Sequence, residues 1–596
     1  MFNENIDVKI IFEGITDAYK YFAIFKSFTD LNLSNSYDIE ITNLNNLTVP
    51  FGSFYLHYIL YLFIKSWAFI ILELACIIIF LGIFYKISRL LDFKREVSLL
   101  ISVFLYNLPL FLDITSISSY SYVNVISFDL YTLRFPRPLI TNLFLYYFML
   151  IILSTLNRGE FIKRKKFILL GIVSSLSLTS FLYHFLLIQI TFLFTLIYLY
   201  RTRFISYLIK NYVSFSLLIL SFLIFSSPAI LNYNFAEKEF LERMGALNFD
   251  SEKRKILINY TFDKFLDIKF ISVIMISVGI IYLINCQKYK KLLFKNNLFL
   301  FMFYSSIISP IIFILFSPSF FSHFYFFNNL TVIIFFLLIF FIFSKIIQEY
   351  LMKSISSKNL NLLITIIIIA TFFLNYLGIR HNYISNKINS DNYNLRSEFN
   401  EIVNIVQRNN IDLNESSLLT FDNKFMVWFI LNEIGYLKIV NGIFIPKKHE
   451  MIENDLIKSF NFLNLDKNDF KKFIMNKKKG WRYRNDNIMN LFWHRYQANS
   501  LTTFKDSKDF DEEILDFINK SSPIMSQQLV VPNFEIERLV LKFDKDIKFN
   551  LEPDLVIINK KDPVLNKSII DSSKFCKIFD GEYYVFYQVM KNDKCN

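Results

Sequence analysis

Four groups of residues have types and spacings suited to chemistry. The first is Asp17, in Glu13-Gly14-Ile15-Thr16-Asp17-Ala18-Tyr19-Lys20-Tyr21-Phe22. Gly14 allows a close backbone approach and Thr16 can cap a helix, while Tyr19, Phe22, Ala23, Phe25 and Phe28 follow near helical spacing. A carboxylate there could hold a divalent metal ion or take a proton from an acceptor hydroxyl. Taken alone, it reads as a solvated surface carboxylate. The second group is Arg134-Phe135-Pro136-Arg137-Pro138, preceded by Asp129. Two prolines stiffen the backbone, and a guanidinium fork suits phosphate. The competing reading is a pair of arginines reaching lipid headgroups, with Pro138 starting a helix. The third and fourth are His57 and His184, each beside tyrosine and phenylalanine near a membrane face. Ionisable groups at membrane depth mark functional sites, although a satisfied interface histidine accounts for either. His57 is the stronger candidate, being closer in sequence to Asp17.

The elements that must position these residues are membrane helices. The chain has 596 residues, 54% of them hydrophobic and 18% aromatic, with a mean hydropathy of +0.38. That composition excludes an ordinary soluble enzyme. Ten apolar runs are long enough to span, at roughly 17–20 residues each. They are Trp67–Ile87, Val97–Asp113, Leu139–Leu156, Phe167–Leu182, His184–Tyr200, Tyr212–Leu231, Phe270–Cys286, Leu298–Phe316, Leu330–Ile347 and Leu362–Gly378. Basic residues follow the first, third, fifth, seventh and ninth, so those loops are read as cytoplasmic. The formal charge of +13 is then explained without a nucleic-acid partner. Phe54–Ile64 is too short to span and reads as a helix lying in the interface. Ser180–His184 is the expected outer turn of a tight hairpin. Glu73, inside the first span, is expected to pair within the bundle.

The division that follows is residues 1–66 as a non-cytoplasmic loop with interfacial helices, 67–379 as the membrane bundle, and 380–596 as a soluble α/β domain. The alternation puts Met1 outside with no span to carry it there, and the expectation is a further span encoded upstream. In the last part, Glu398–Gln407, Glu450–Asn461 and Asp509–Asn519 read as helices, and Ser417–Phe421, Asp554–Asn559 and Tyr583–Val589 as strands. Trp481-Arg482-Tyr483-Arg484 and Trp493-His494-Arg495-Tyr496 are aromatic and basic, and read as an interface with the bundle. The mixed charges of 236–269 read as solvated helices. Cys76, Cys286, Cys576 and Cys595 have no metal-ligand spacing. Cys576 and Cys595 would pair only in an oxidising compartment, and free thiols are expected.

The segment Gly14-Ile15-Thr16-Asp17-Ala18-Tyr19-Lys20-Tyr21-Phe22, then Pro50-Phe51-Gly52-Ser53-Phe54-Tyr55-Leu56-His57-Tyr58, then a span ending Tyr85-Lys86-Ile87-Ser88-Arg89, resembles the GT-C superfamily of integral-membrane glycosyltransferases. The nearest likeness is to the branch with protein mannosyltransferases and lipid A aminoarabinose transferase. The resemblance implies a helical membrane bundle with an α/β C-terminal domain, and transfer of a sugar from polyprenyl phosphate to a lipid or glycan acceptor on the non-cytoplasmic face. It implies a multi-pass protein of a bacterial inner membrane, with lipid and lipid-linked sugar as partners. Asp17 matches the family's catalytic or metal-linked aspartate. Arg134 and Arg137 match no family motif, and their phosphate role is read from chemistry. Phe51 stands where the family has a second proline, and the second acidic partner would be Asp113 or Asp129. Two rival readings are a transporter or flippase of lipid-linked sugars and a non-catalytic envelope-assembly protein. The transporter reading lacks the internal repeats expected of it.

Overall fold

The computed structural model describes residues 51–64, 67–114, 129–131, 139–158, 164–235, 238–243, 246–248, 297–317, 319–321, 326–351, 390–409, 416–421, 448–475, 533–567 and 574–590, with a few single positions between them. It is mainly helical. Six helices are long and apolar enough to cross a membrane, as in a multi-pass membrane protein. They lie in α2 (Trp67–Leu90), α3 (Arg95–Ile114), α6 (Leu182–Tyr200), α8 (Tyr212–Phe235), α10 (Asn297–Phe316) and α11 (Phe326–Leu351). Three shorter helices join them: α1 (Phe51–Ile64), α4 (Leu139–Leu156) and α5 (Arg164–Ser180). The expected spans Phe270–Cys286 and Leu362–Gly378 lie outside the described residues, apart from single positions.

Packing follows membrane logic rather than water-soluble logic. The helix α5 is the least apolar of the bundle, yet Ser174, Ser175, Ser177, Thr179 and Ser180 are all buried. It packs against α1, α4, α6 and α8. The strongly apolar α8 instead exposes Ile219, Leu220, Leu223 and Ile224. Lipid tails solvate such side chains as well as a protein core does, so small and polar residues take the interior, where backbones approach closely. Gly171 makes the closest approach: a Cβ there would overlap the Ser221 hydroxyl and the Leu218 carbonyl of α8. The Ser221 hydroxyl donates to the Ile168 carbonyl at 3.2 Å, and Gln189 Nε2 donates to Ser174 Oγ at 2.8 Å. Pro228, inside α8, removes a donor from the Ile224 carbonyl, which the Ser227 hydroxyl replaces at 3.1 Å.

The basic loops gather at one end. Lys345 Nζ donates to the Asp92 carbonyl at 2.7 Å, and the Lys94 N–H donates to Gln348 Oε1 at 2.9 Å. Asn157 Nδ2 donates to the Leu90 carbonyl at 2.7 Å, and Lys166 Nζ to Ser154 Oγ at 2.9 Å. The turn after α2 therefore meets the ends of α4 and α11, as alternating spans require. At the other end Arg254 donates to the carbonyls of Ile314 and Ser317 where α10 stops. There β1 (Ala246–Asn248) also pairs antiparallel with β2 (Ser319–Phe321).

The C-terminal region holds the larger sheet. Its order is β3 (Leu418–Thr420), β4 (Leu555–Asn559), β6 (Tyr584–Val589), β5 (Phe575–Asp580), with β3 and β4 parallel and the other pairs antiparallel. The helix α12 (Ser390–Arg408) lays Phe399, Ile402 and Val406 on Leu418, Leu555, Ile557, Tyr584 and Phe586. Its Glu398 carboxylate accepts the N–H groups of Tyr583 and Tyr584, each at 2.9 Å. Helices α13 (His449–Phe462), α14 (Lys467–Met475) and α15 (Asn533–Lys542) lie in the long connection from β3 to β4. Glu453 of α13 bridges Arg538 at 2.5 Å and Lys542 at 2.9 Å on α15. This region touches the bundle through α9 (Lys238–Arg243): the His449 N–H donates to Glu239, and His449 Nε2 lies 3.7 Å from Glu242. Residues 509–519, 481–484 and 493–496 lie outside the described residues. Cys576 is disulfide-bonded, against the expectation of free thiols there. Cys76 is free and buried.

Candidate functional site

Three helix starts and one turn meet at the end of the bundle away from the basic loops. The turn is residues 129–131, and the carbonyls of Asp129 and Leu130 accept side-chain donors from α4. The first turns of α4 supply donors, because Asn142 and Tyr146, four residues apart, share a face. Asn142 Nδ2 donates to the carbonyls of Asp129 (2.5 Å) and Leu130 (3.3 Å), and the Tyr146 hydroxyl donates to the Leu130 carbonyl at 2.5 Å. Asn329, in the first turn of α11, donates to the Asp129 carboxylate at 2.7 Å. Burial pushes the Asp129 carboxyl up to about 6, with the Asn329 hydrogen bond acting in the opposite direction. Such a group exchanges a proton near neutral pH.

His184 reaches the same mouth from α6. Its Nδ1 lies 3.2 Å from the Thr141 carbonyl, beside Asn142, so that nitrogen carries the proton. The hairpin from α5 to α6 is tighter than expected, with Phe181 alone between the helices. Phe181 packs edge-on to His184 at 4.9 Å and to Phe326 of α11 at 4.7 Å, while Tyr183 packs on Phe327 at 4.8 Å. The helix α1 arrives at the same corner: a Cβ on Gly52 would lie 2.5 Å from both the Leu176 carbonyl and the Ser180 hydroxyl of α5. Within α1, Phe54, His57 and Tyr61 form the buried face, while Leu62 and Phe63 are exposed. His57 Nδ1 lies 3.4 Å from the Ser53 carbonyl of its own helix.

No family model, characterised protein or solved structure matches this chain. The site is therefore read from its own chemistry.

Of the residues singled out by sequence, Asp129 and His184 are brought together around the first turn of α4. His57 sits on α1, whose start closes the same corner. Asp17, Arg134 and Arg137 lie outside the described residues, and the side chain of Asp113 is likewise undescribed. The Arg134–Pro138 segment lies in sequence between Tyr131 and Leu139, the first residue of α4. Among the described residues no group of three or more His, Cys, Asp or Glu could hold a metal ion. Asp129 alone does not make a divalent site. Glu73 has no hydrogen-bonding or ion-pairing partner among the described residues, against the expectation that it pairs. Asn142 and Asn329 were not legible as site residues. The available signal was an Asn–Tyr pair at helical spacing and an asparagine opening an apolar run.

Proposed function

We propose that the protein is a membrane glycosyltransferase of GT-C type, moving a sugar from polyprenyl phosphate to a lipid or glycan acceptor. The observation that carries this reading is Asp129, held by Asn329 in a turn that leads directly into Arg134-Phe135-Pro136-Arg137-Pro138. A carboxyl able to exchange a proton thus stands beside two arginines in sequence, at a mouth between helix starts. In this reading Arg134 and Arg137 neutralise the departing phosphate, and Asp17 takes the acceptor proton or holds a metal ion. His184 keeps the α5–α6 corner against α4, and His57 lies on the buried face of α1, which follows the segment carrying Asp17 in sequence. The C-terminal region, joined to α9 through His449, shapes the acceptor side.

Six apolar helices and basic loops gathered at one end support the proposed placement in a bacterial inner membrane, with this mouth facing outward. A disulfide at Cys576 supports an oxidising compartment for the C-terminal region. The test is sugar transfer in proteoliposomes supplied with polyprenyl-phosphate hexoses. Asp17→Asn is expected to lose transfer while still inserting and melting like the parent. Full turnover by that variant would reject the role of Asp17.

A further inference from the structure

A second polar cluster lies inside the bundle wall, between α2, α3 and the 129–131 turn. Glu73 of α2 is within electrostatic reach of Cys76, Tyr106 and Tyr131. Tyr131 is only 5% exposed, and its hydroxyl has no hydrogen-bonding partner among the described residues. Its ring is fixed by Phe80 at 4.4 Å and Tyr106 at 5.5 Å. Leaving a buried phenol and a carboxyl unsatisfied costs free energy that an apolar pair of similar shape would avoid. The cluster also opens sideways: Ile71, Leu74 and Ile78 on the flanking face of α2 are exposed, and Glu73 itself is half-buried. It lies about 9 Å along the helix from Trp67, an aromatic anchor suited to the interface.

The ligand class follows from charge and lone pairs. A carboxylate and two phenols offer more acceptor lone pairs than O–H donors, carry a negative charge and are walled by aromatic rings. A phosphate is repelled there. A primary ammonium offers three N–H donors, matches the charge, and interacts favourably with the aromatic rings. We propose that Glu73, Tyr106 and Tyr131 form a lateral, lipid-facing binding site for the ammonium group of an amine-bearing lipid or amphiphile. The site is separate from Asp129, although Tyr131 shares its turn, and it does not rest on the transferase reading.

The test uses the purified full chain in a neutral detergent and a diazirine-bearing alkylammonium as photoprobe. Labelling is expected to map to peptides around Glu73 and Tyr106. It should be competed by dodecylammonium and not by dodecanol or dodecyl phosphate. Glu73→Gln should weaken competition by about tenfold or more, the effect of removing one charge-assisted hydrogen bond. Tyr131→Phe keeps the packed ring and removes only the hydroxyl, so it should also weaken competition, to a smaller extent. Equal competition by dodecanol, or unchanged competition in Glu73→Gln, overturns the proposal. Should Glu73→Gln fail to fold, unchanged competition in Tyr131→Phe overturns it instead.

Discussion

Replacing Asp129 by asparagine should stabilise the protein at neutral pH and leave it unchanged in acid. The folded protein holds the Asp129 proton more tightly than the unfolded chain does, because burial raises the carboxyl from 3.8 to about 6. That difference corresponds to ~3 kcal/mol at most. Part of the residue remains accessible, so solvent screening makes this a ceiling. The sign follows from proton binding: the favourable contribution is fully present below about pH 4 and is lost as pH rises through about 6. In Asp129→Asn the amide is neutral throughout and still accepts from Asn329. The two proteins should therefore melt alike near pH 4, and the variant should be the more stable by up to ~3 kcal/mol at pH 7.5. Melting temperatures in neutral detergent from pH 4 to 8, taken as the difference between variant and parent, isolate this carboxyl from all others. A difference that does not change with pH, or a variant that becomes relatively weaker above pH 6, would refute the burial argument.

Three further outcomes are expected. Asn329→Leu removes the hydrogen bond that favours the Asp129 carboxylate, so the same pH transition should move above 6, as read by the melting series. Gly171→Val must push α5 from α8 or distort both, because the obstructing atoms include backbone; a destabilisation of ~1–3 kcal/mol is expected in detergent unfolding, with the hydrogen bond from Ser221 to Ile168 broken as well. Glu398→Ala strips the acceptor from three N–H groups in the β5–β6 hairpin, those of Glu582, Tyr583 and Tyr584, at a cost of ~1–3 kcal/mol for each group left unpaired. Faster amide exchange should then appear at Tyr583 and Tyr584 ahead of the bundle.

Much of the bundle was legible because apolar runs and basic loops are one-dimensional signals. Lys86–Arg95 and Lys163–Lys166 predict one common end, and among the described residues the hydrogen bonds of Lys94, Lys166 and Lys345 gather there. The strands Leu418–Thr420, Leu555–Asn559 and Tyr584–Val589 fall inside the expected segments. The strand β5 was missed: Phe575-Cys576-Lys577-Ile578-Phe579-Asp580 lacks a clean alternation, and its register with β6 shifts between Lys577 and Phe579. The buried setting of α5 was also invisible, because a run rich in serine looks like the least embedded helix until its neighbours are known. Asn142 and Asn329 escaped for another reason. In a chain with asparagine in loops and spans alike, residue type carries no weight, and only the meeting of α4 with α11 around Asp129 distinguishes these two.

We propose that this end of the bundle receives a lipid phosphate, and equilibrium binding of polyprenyl phosphate to the protein in nanodiscs decides the matter. The Arg134→Ala/Arg137→Ala double variant should bind at least about tenfold more weakly than the parent, as expected when charge-assisted hydrogen bonds to phosphate are removed, with melting behaviour preserved. Equal affinity in a folded double variant would contradict the account.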